Sequence, residues 1–258
     1  MVPLIPEIKN FLFRRAKNPY YFSLAKGRYV TQVLSPFSTA VIDPFKLLPV
    51  NPRQIQYVTG TADTVDWTPS NMHKDRNSPI GSFSIRPRIG TIVGGSWDQS
   101  EVEFTELCVY RSFEAHFEKE VPWDQTEYFE RECEIIETNG SAYGCSSKSE
   151  FLEKRCGYLD NLYESIAKEG YKSQAEVSDP RSKSIFHEIT VNIGRDGQLL
   201  YNRSGQHRLA IARLLGIDSV PVLPVVRHPQ WQAIREQVFE TGDCPNHIDS
   251  THPDLSSF

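Results

Sequence analysis

Five consecutive residues near the C-terminal end carry groups suited to holding a phosphate. Ser204-Gly205-Gln206-His207-Arg208 precedes a helical stretch that continues to Leu215. A Ser–Gly pair suits a helix start, because serine can cap free amides and glycine lets the backbone approach a ligand closely. The first helical turn presents unpaired N–H groups and the positive end of the helix dipole, which favour phosphate. His207 and Arg208 add side-chain donors at that turn.

The same spacing fits a second interpretation, a capped surface helix with a solvated histidine–arginine pair. A serine–histidine triad is excluded, since residues this close on one turn cannot supply nucleophile, base and orienting group together. The chain also lacks the Walker A, zinc-protease and serine-hydrolase motifs. Spacing alone therefore leaves phosphate binding and a plain capped helix open.

Alternating apolar residues and glycine punctuation predict the elements that position these five residues. The C-terminal part contains a hairpin of strands over 186–193 and 198–201, a helix over 206–215, a strand over 220–226 and a helix over 229–239. Upstream, 41–60 indicates strand, turn and strand, 88–93 a strand, and 104–120, 124–140 and 149–169 three helices. The first forty residues indicate a short basic amphipathic helix over 4–16, then aromatic, extended segments. This order predicts the α+β class, a mixed sheet with a helical insertion.

Two segments, 162–177 and 189–225, resemble the ParB/sulfiredoxin superfamily. The shared order is a helix end, a strand, a glycine hairpin, a Gly-x-His-Arg helix start and an L-G-I-D-x-V-P-V joint to the next strand. Segment 42–55 is similar to the family's opening strand. The resemblance implies a ParB/sulfiredoxin-like mixed sheet. The implied organisation is an N-terminal extension over 1–40, a nucleotide-binding domain over 41–240 with its helical insertion at about 104–169, and a loose tail over 241–258.

Members of this superfamily bind nucleotide phosphates at the corresponding helix start, but their activities differ. Sulfiredoxins carry a nucleophilic cysteine where this chain has Gln206. The DNA partition clamps carry Gly-Glu-Arg-Arg and continue into a helix-turn-helix domain, whereas only about thirty residues follow the last strand here. The resemblance is therefore closest to the small-molecule kinase branch.

The resemblance implies a set of site residues, with ATP or another nucleotide and Mg²⁺ as cofactors. The expected nucleotide-binding residues are Lys172, Gln174, Arg203, Ser204, Gly205, Gln206, His207 and Arg208. The expected catalytic residues are Asp98, His207 and Arg208. Lys172 and Gln174 fit a solvated loop equally well. No metal-ligand set is assigned, since Cys244-x-x-His247 falls short of a zinc pattern.

Asp98 follows the Gly94-Gly95 turn and is the first candidate for a general base or Mg²⁺ contact, against an alternative as a helix-capping aspartate. Glu188 and Asp196 are next in line, although surface charge is the favoured interpretation of both. Arg111 is interpreted as a paired arginine at the core edge rather than a substrate anchor.

The leading hypothesis is a nucleotide-dependent phosphotransferase acting on a small hydroxyl-bearing molecule. A ParB-like nucleotide-dependent DNA-binding protein or nuclease and a non-catalytic nucleotide sensor are the alternatives. Among 258 residues, 39% are hydrophobic, the formal net charge is −5 and five cysteines are scattered. No signal peptide or membrane-spanning run is evident. We expect a cytoplasmic protein without disulfides whose partners are a nucleotide and a small-molecule acceptor, not duplex DNA.

The acidic charge balance predicts weak binding to duplex DNA at physiological salt, because phosphate neutralisation by basic residues supplies most of the affinity for DNA. A salt titration of DNA binding by fluorescence anisotropy checks this. Sub-micromolar binding that falls steeply with added salt would contradict the phosphotransferase hypothesis.

Overall fold

The N-terminal segment forms one long helix. The computed structural model describes residues 6–35, 40–60, 88–177 and 184–256, with side chains from Tyr20 onward. Helix α1 (Pro6–Leu34) spans 29 residues, so the expectation of a short helix followed by extended segments is wrong. Its aromatic stretch is helical because tertiary packing overrides local preference: Phe22 stacks on Phe45 at 4.4 Å, and Ala25 is buried in a cluster with Leu223.

Within the described residues, six strands form one mixed sheet in the order β1-β6-β4-β5-β2, with β3 pairing the C-terminal end of β6. The strands are β1 (Leu48–Val50), β2 (Tyr57–Val58), β3 (Thr91–Ile92), β4 (Ile189–Ile193), β5 (Leu199–Tyr201) and β6 (Val220–Arg227). The central pair, β4 and β6, is parallel, whereas β1–β6 and β4–β5 are antiparallel. Together with the helices, this confirms the α+β class and the mixed sheet.

The predicted helical insertion over 104–169 is helical in the structure and packs against the sheet's main helix. Its helices are α2 (Cys108–Lys119), α3 (Glu127–Asn139), α4 (Lys148–Glu150) and α5 (Gly157–Glu169). A π-helical turn, Phe151–Cys156, joins α4 to α5. The remaining helices are α6 (Gln174–Val177), α7 (Gln206–Leu214) and α8 (Pro229–Thr241). No helix in the described part of the chain is long and apolar enough to cross a membrane.

Both faces of the sheet are covered. All five residues of β4 are buried. On one face, Val222 joins the main core with Leu209 of α7 and Phe113 of the insertion. On the other face, the neighbouring Leu223 packs with Ala25 of α1. Successive side chains along a strand point to opposite faces. Strand β4 therefore directs Ile189, Val191 and Ile193 into the main core and its buried polar residues, Thr190 and Asn192, to the other face.

The C-terminal segment is anchored by a buried carboxylate, so the expectation of a loose tail is wrong for residues up to 256. Asp254 is fully buried and accepts hydrogen bonds from Arg227 at 2.8 and 2.5 Å and from the Trp231 indole at 2.9 Å. The Arg235 guanidinium lies 3.1 Å from the same carboxylate. The polar tail shows no apolar periodicity, but this one side chain compensates two buried arginines.

Replacing Asp254 by alanine removes the negative charge that compensates two buried guanidinium groups. We expect Asp254→Ala to lower the free energy of unfolding by about 3–5 kcal/mol in urea denaturation. Asp249→Ala is the matched control, because Asp249 is an exposed tail aspartate bonded to Thr251. Equal, small effects of the two variants would show that the tail is not anchored by Asp254.

The arginines also make this stabilisation depend on pH. Burial alone would raise the pKa of Asp254, but Arg227, Arg235 and the Trp231 indole together outweigh it and the pKa falls to about 2. Because the folded pKa lies below the unfolded value, the stabilisation is complete above the ordinary aspartate range and lost as pH falls toward 2. The difference in the free energy of unfolding between wild type and Asp254→Asn should therefore decrease as the pH is lowered from the ordinary aspartate range toward 2.

Candidate functional site

Gly205 fixes the start of α7 against the central strand. The helix begins at Gln206, as the sequence predicts, and Gly205 is its N-cap with a φ of 82°. A Cβ at this position would lie 2.6 Å from the Cα of Ile189. Glycine is therefore required by a left-handed backbone and by close approach to β4. The predicted capping role of Ser204 is wrong, because its amide donates to the Thr190 hydroxyl at 3.0 Å and its side chain does not cap the helix.

The first turn of α7 offers backbone donors. The first intrahelical hydrogen bond runs from the Leu209 amide to the Gly205 carbonyl. The amides of Gln206, His207 and Arg208 precede it, so they have no helical carbonyl to donate to. Such amides, at the positive end of the helix dipole, favour an anion.

The Arg208 side chain is held by internal partners. Its guanidinium donates to the Tyr171 hydroxyl at 3.0 Å, to the Glu188 carboxylate at 3.4 Å and to the His187 carbonyl. The side chain is 12% exposed. These contacts tie the start of α7 to the segment before β4, rather than leaving Arg208 as a free phosphate clamp.

Glu188 is buried, so its interpretation as a surface charge is wrong. It is 1% exposed and accepts the Gln174 amide at 2.7 Å as well as the Arg208 contact. Burial raises the pKa of Glu188, although the Gln174 amide and Arg208 oppose that shift. This carboxylate joins the segments before α6, before β4 and at the start of α7.

The structure thus brings most of the predicted nucleotide-binding positions together. The Gln174 backbone amide donates to Glu188, which in turn contacts Arg208 at the start of α7. Lys172 lies on the same segment, but its side chain is paired with Glu169 at 2.5 Å. Arg203 is exposed and makes no ion pair within the described chain. The Arg203 guanidinium is therefore accessible to a ligand bound at the helix start.

Asp98 lies at the opposite end of β4, so the structure does not place it with the helix start. Its fully buried carboxylate accepts from the Arg195 backbone amide and guanidinium at 2.8 and 2.9 Å. Burial would raise the pKa of Asp98, but the hydrogen bonds from Arg195 outweigh it and lower the pKa. Arg195 lies two residues beyond the last residue of β4, whereas Gly205 contacts the first, and a five-residue strand spans roughly 13 Å. Asp196 is exposed on that same distant turn.

His207 points into the helical insertion. Its Nδ1 lies 3.2 Å from Nη2 of Arg155, so Nδ1 acts as the acceptor. Its ring stacks on Phe113 at 5.5 Å and meets the rings of Tyr128 and Tyr143 edge-on. Arg155 belongs to the π-helical turn and lies over the Tyr143 ring at 4.2 Å. The sequence did not identify Arg155 as a candidate, because the apolar periodicity that predicts an α-helix does not reveal a π turn.

Tyr201, the last residue of β5, places a hydroxyl beneath the same helix start. The side chain is fully buried and its hydroxyl finds no hydrogen-bond partner within the described chain. The Gln206 backbone amide lies beside the hydroxyl and tends to lower its pKa, but desolvation outweighs this and raises the pKa far above the usual tyrosine range. The Tyr201 hydroxyl therefore keeps its proton and has no hydrogen-bond acceptor for it within the described chain.

The other candidates are structural. Arg111 pairs with Glu127 on the surface at 2.5 Å, in line with its interpretation as a paired arginine. All five cysteines are free, and burial raises the pKa of the Cys108 and Cys156 thiols to about 11 and 12. Neither thiol is a ready nucleophile. No group of histidine, cysteine or carboxylate side chains within the described ranges is arranged to hold a metal.

Comparison with family models, with curated proteins and with solved structures found no match to this chain. The resemblance to the ParB/sulfiredoxin superfamily therefore stays a prediction from the sequence.

The Asp98–Arg195 pair predicts a structural phenotype. Asp98→Asn should lower the free energy of unfolding by about 1–3 kcal/mol, a modest loss because Arg195 is 28% exposed and can be rehydrated. Asp196→Asn, on the same turn, is the exposed control and should stay within about 0.5 kcal/mol of wild type. Unchanged stability of Asp98→Asn combined with lost turnover would instead return Asp98 to a reacting role.

Proposed function

We propose that this protein binds a nucleoside triphosphate with its phosphates at the start of α7 and transfers a phosphoryl group to a small hydroxyl-bearing acceptor. The observation that carries the proposal is the set of first-turn amides at 206–208, ahead of the helical ladder and fixed in place. Gly205 fixes them against β4, and Arg208 fixes them against Glu188. Phosphoryl transfer depends mainly on positioning and charge stabilisation, which a rigid helix start provides.

The residues around the helix start have different roles in binding the phosphates and activating the acceptor. The amides of 206–208 would receive phosphate oxygens, and exposed Arg203 would add a mobile positive charge. Mg²⁺ would be held chiefly by the phosphates themselves, since Glu188 is the carboxylate in the described chain that contacts side chains of 204–208. The same carboxylate replaces Asp98 as the proposed group that orients or deprotonates the acceptor hydroxyl. Its raised pKa suits a general base.

A non-catalytic nucleotide sensor is the second candidate, favoured by one contact. His207 of α7 meets Arg155 of the helical insertion at 3.2 Å, so a ligand at the helix start would act directly on the insertion. Binding that reorders the insertion without turnover across a panel of hydroxyl acceptors would select the sensor.

Nucleotide binding should depend on the exposed cation at the helix start. Arg203→Gln should weaken ATP binding about tenfold, because one charge-assisted contact is lost. Arg53→Gln is the matched control, since Arg53 is an exposed arginine near Gly216, beyond the opposite end of α7. Isothermal titration calorimetry with Mg·ATP measures both variants, after a thermal-shift survey of the common nucleoside di- and triphosphates. Failure of every nucleotide to bind would remove the proposed function.

Chemistry should depend on the buried carboxylate. Glu188→Gln keeps the shape but removes the base, so we expect kcat to fall about a hundredfold while ATP affinity stays nearly constant. Glu169→Gln, an exposed glutamate paired with Lys172, is the control. Wild-type turnover should rise as pH passes through a pKa above the ordinary glutamate range, since the ionised carboxylate is the active form. Weaker ATP binding with unchanged kcat would mean that Glu188 only positions Arg208.

A further inference from the structure

Arg155 is a half-buried cation without a carboxylate partner in the described chain. Its guanidinium contacts the Tyr128 hydroxyl at 3.4 Å, His207 Nδ1 at 3.2 Å and the faces of two tyrosine rings. Two more deeply buried arginines have carboxylate partners, since Arg131 pairs with Glu132 at 2.8 Å and Arg227 with Asp254 at 2.5 Å, whereas part-buried Arg213 donates to the Ile55 carbonyl at 2.9 Å. A partly buried charge without a counter-ion costs free energy. An anion bound beside Arg155 would therefore stabilise this part of the protein.

Tyr143, whose ring lies against Arg155, is also close enough to the Tyr201 hydroxyl to affect its pKa. The Tyr201 hydroxyl is fully buried and unpartnered within the described chain, beside the Gln206 amide. Burial raises the pKa of Tyr128, Tyr143 and Tyr201, so all three hydroxyls keep their protons at neutral pH. The positive end of α7 adds to the same field. The cluster is therefore rich in donors and positive charge.

The cluster is preorganised and reaches the protein surface at Tyr143. The π-helical turn Phe151–Cys156 carries Arg155, and Tyr143 has a φ of 50°, rare for a residue with a side chain. Tyr143 is 44% exposed and forms the solvent edge. His207 presents Nδ1 as acceptor to Arg155 and so acts as a positioning residue. These features hold the guanidinium beside the helix start before any ligand arrives.

We infer that Arg155, Tyr143 and Tyr201 form an oxyanion subsite beside the first turn of α7, which takes a tetrahedral phosphate group. The inference deepens the proposed function and rests on the same helix start. It assigns to the helical insertion a direct part in holding phosphate. The phosphate group is either the terminal one of a nucleoside triphosphate or one carried by a separate molecule.

The test uses the full-length protein and inorganic phosphate as the probe, with sodium chloride at matched ionic strength as the blank. Arg155→Met keeps the aliphatic stem and should weaken phosphate binding tenfold or more, as measured by calorimetry. Lys154→Met, on the adjacent exposed lysine paired with Glu150, should bind within twofold of wild type.

Tyr201→Phe gives a second, independent signature. It should weaken phosphate binding about tenfold and yet raise the melting temperature of the phosphate-free protein, because it removes a buried hydroxyl that has no partner. Tyr158→Phe is the control, since Tyr158 is 53% exposed and contacts Arg155 only through its ring. This variant keeps the test decisive if Arg155→Met fails to fold. Wild-type phosphate affinity in Tyr201→Phe together with an unchanged or lower melting temperature would overturn the inference.

Calorimetry of ATP and ADP binding to the same variants identifies which molecule carries the phosphate group. Loss of ATP affinity with ADP affinity intact in Arg155→Met assigns the subsite to the terminal phosphate. Loss of inorganic phosphate binding with both nucleotides unaffected assigns it to a separate phosphate-bearing molecule. If Arg203→Gln loses nucleotide while Arg155→Met and Tyr201→Phe bind phosphate and nucleotide normally, the subsite is wrong and the proposed function stands. If no nucleotide binds but phosphate binding depends on Arg155, the subsite stands and the proposed function is wrong.

Discussion

The contact between Gly205 and Ile189 sets the geometry on which the site depends. Because a side chain at 205 would clash with the strand backbone, glycine is needed for α7 to begin this close to β4. That approach places Leu209 in the main core and leaves the amides of 206–208 near the first residue of β4. The glycine thus serves packing first. The ligand-binding geometry follows from where the packed helix must begin.

Buried charges determine how the connecting segments are held. Asp98 holds the turn after β4 through Arg195, Glu188 holds the start of α7 through Arg208, and Asp254 holds the tail. Each carboxylate is almost completely covered and has an arginine within ion-pair distance. Arg155 departs from this pattern because its described partners are tyrosines and a histidine. The same electrostatic rule that explains the pairs therefore identifies the place where an outside anion would complete the structure.

The sequence was informative where local chemistry decides the backbone. Glycines at 140, 170 and 205 mark helix boundaries because each adopts a positive φ. Alternation of apolar residues located β4, and the helix start fell where the Ser–Gly pair indicated. These features depend on a few neighbouring residues, so they can be read without a tertiary structure.

The roles of individual polar side chains could not be read in that way. Asp98 follows a glycine turn that suits a site, but its position relative to β4 depends on how distant strands pair. Glu188 is an ordinary polar residue until Tyr171 and Arg208 cover it. Arg155 depends on a π turn, which has no periodic signature. Each of these outcomes is set by tertiary packing.

A crystal structure of the protein with Mg²⁺ and a non-hydrolysable ATP analogue tests the central claim most directly. The account predicts phosphate oxygens within hydrogen-bond distance of the amides of 206–208, with a phosphate next to the Arg155 guanidinium and the Tyr201 hydroxyl. A nucleotide bound elsewhere on the molecule, with the first turn of α7 facing only solvent, would contradict it.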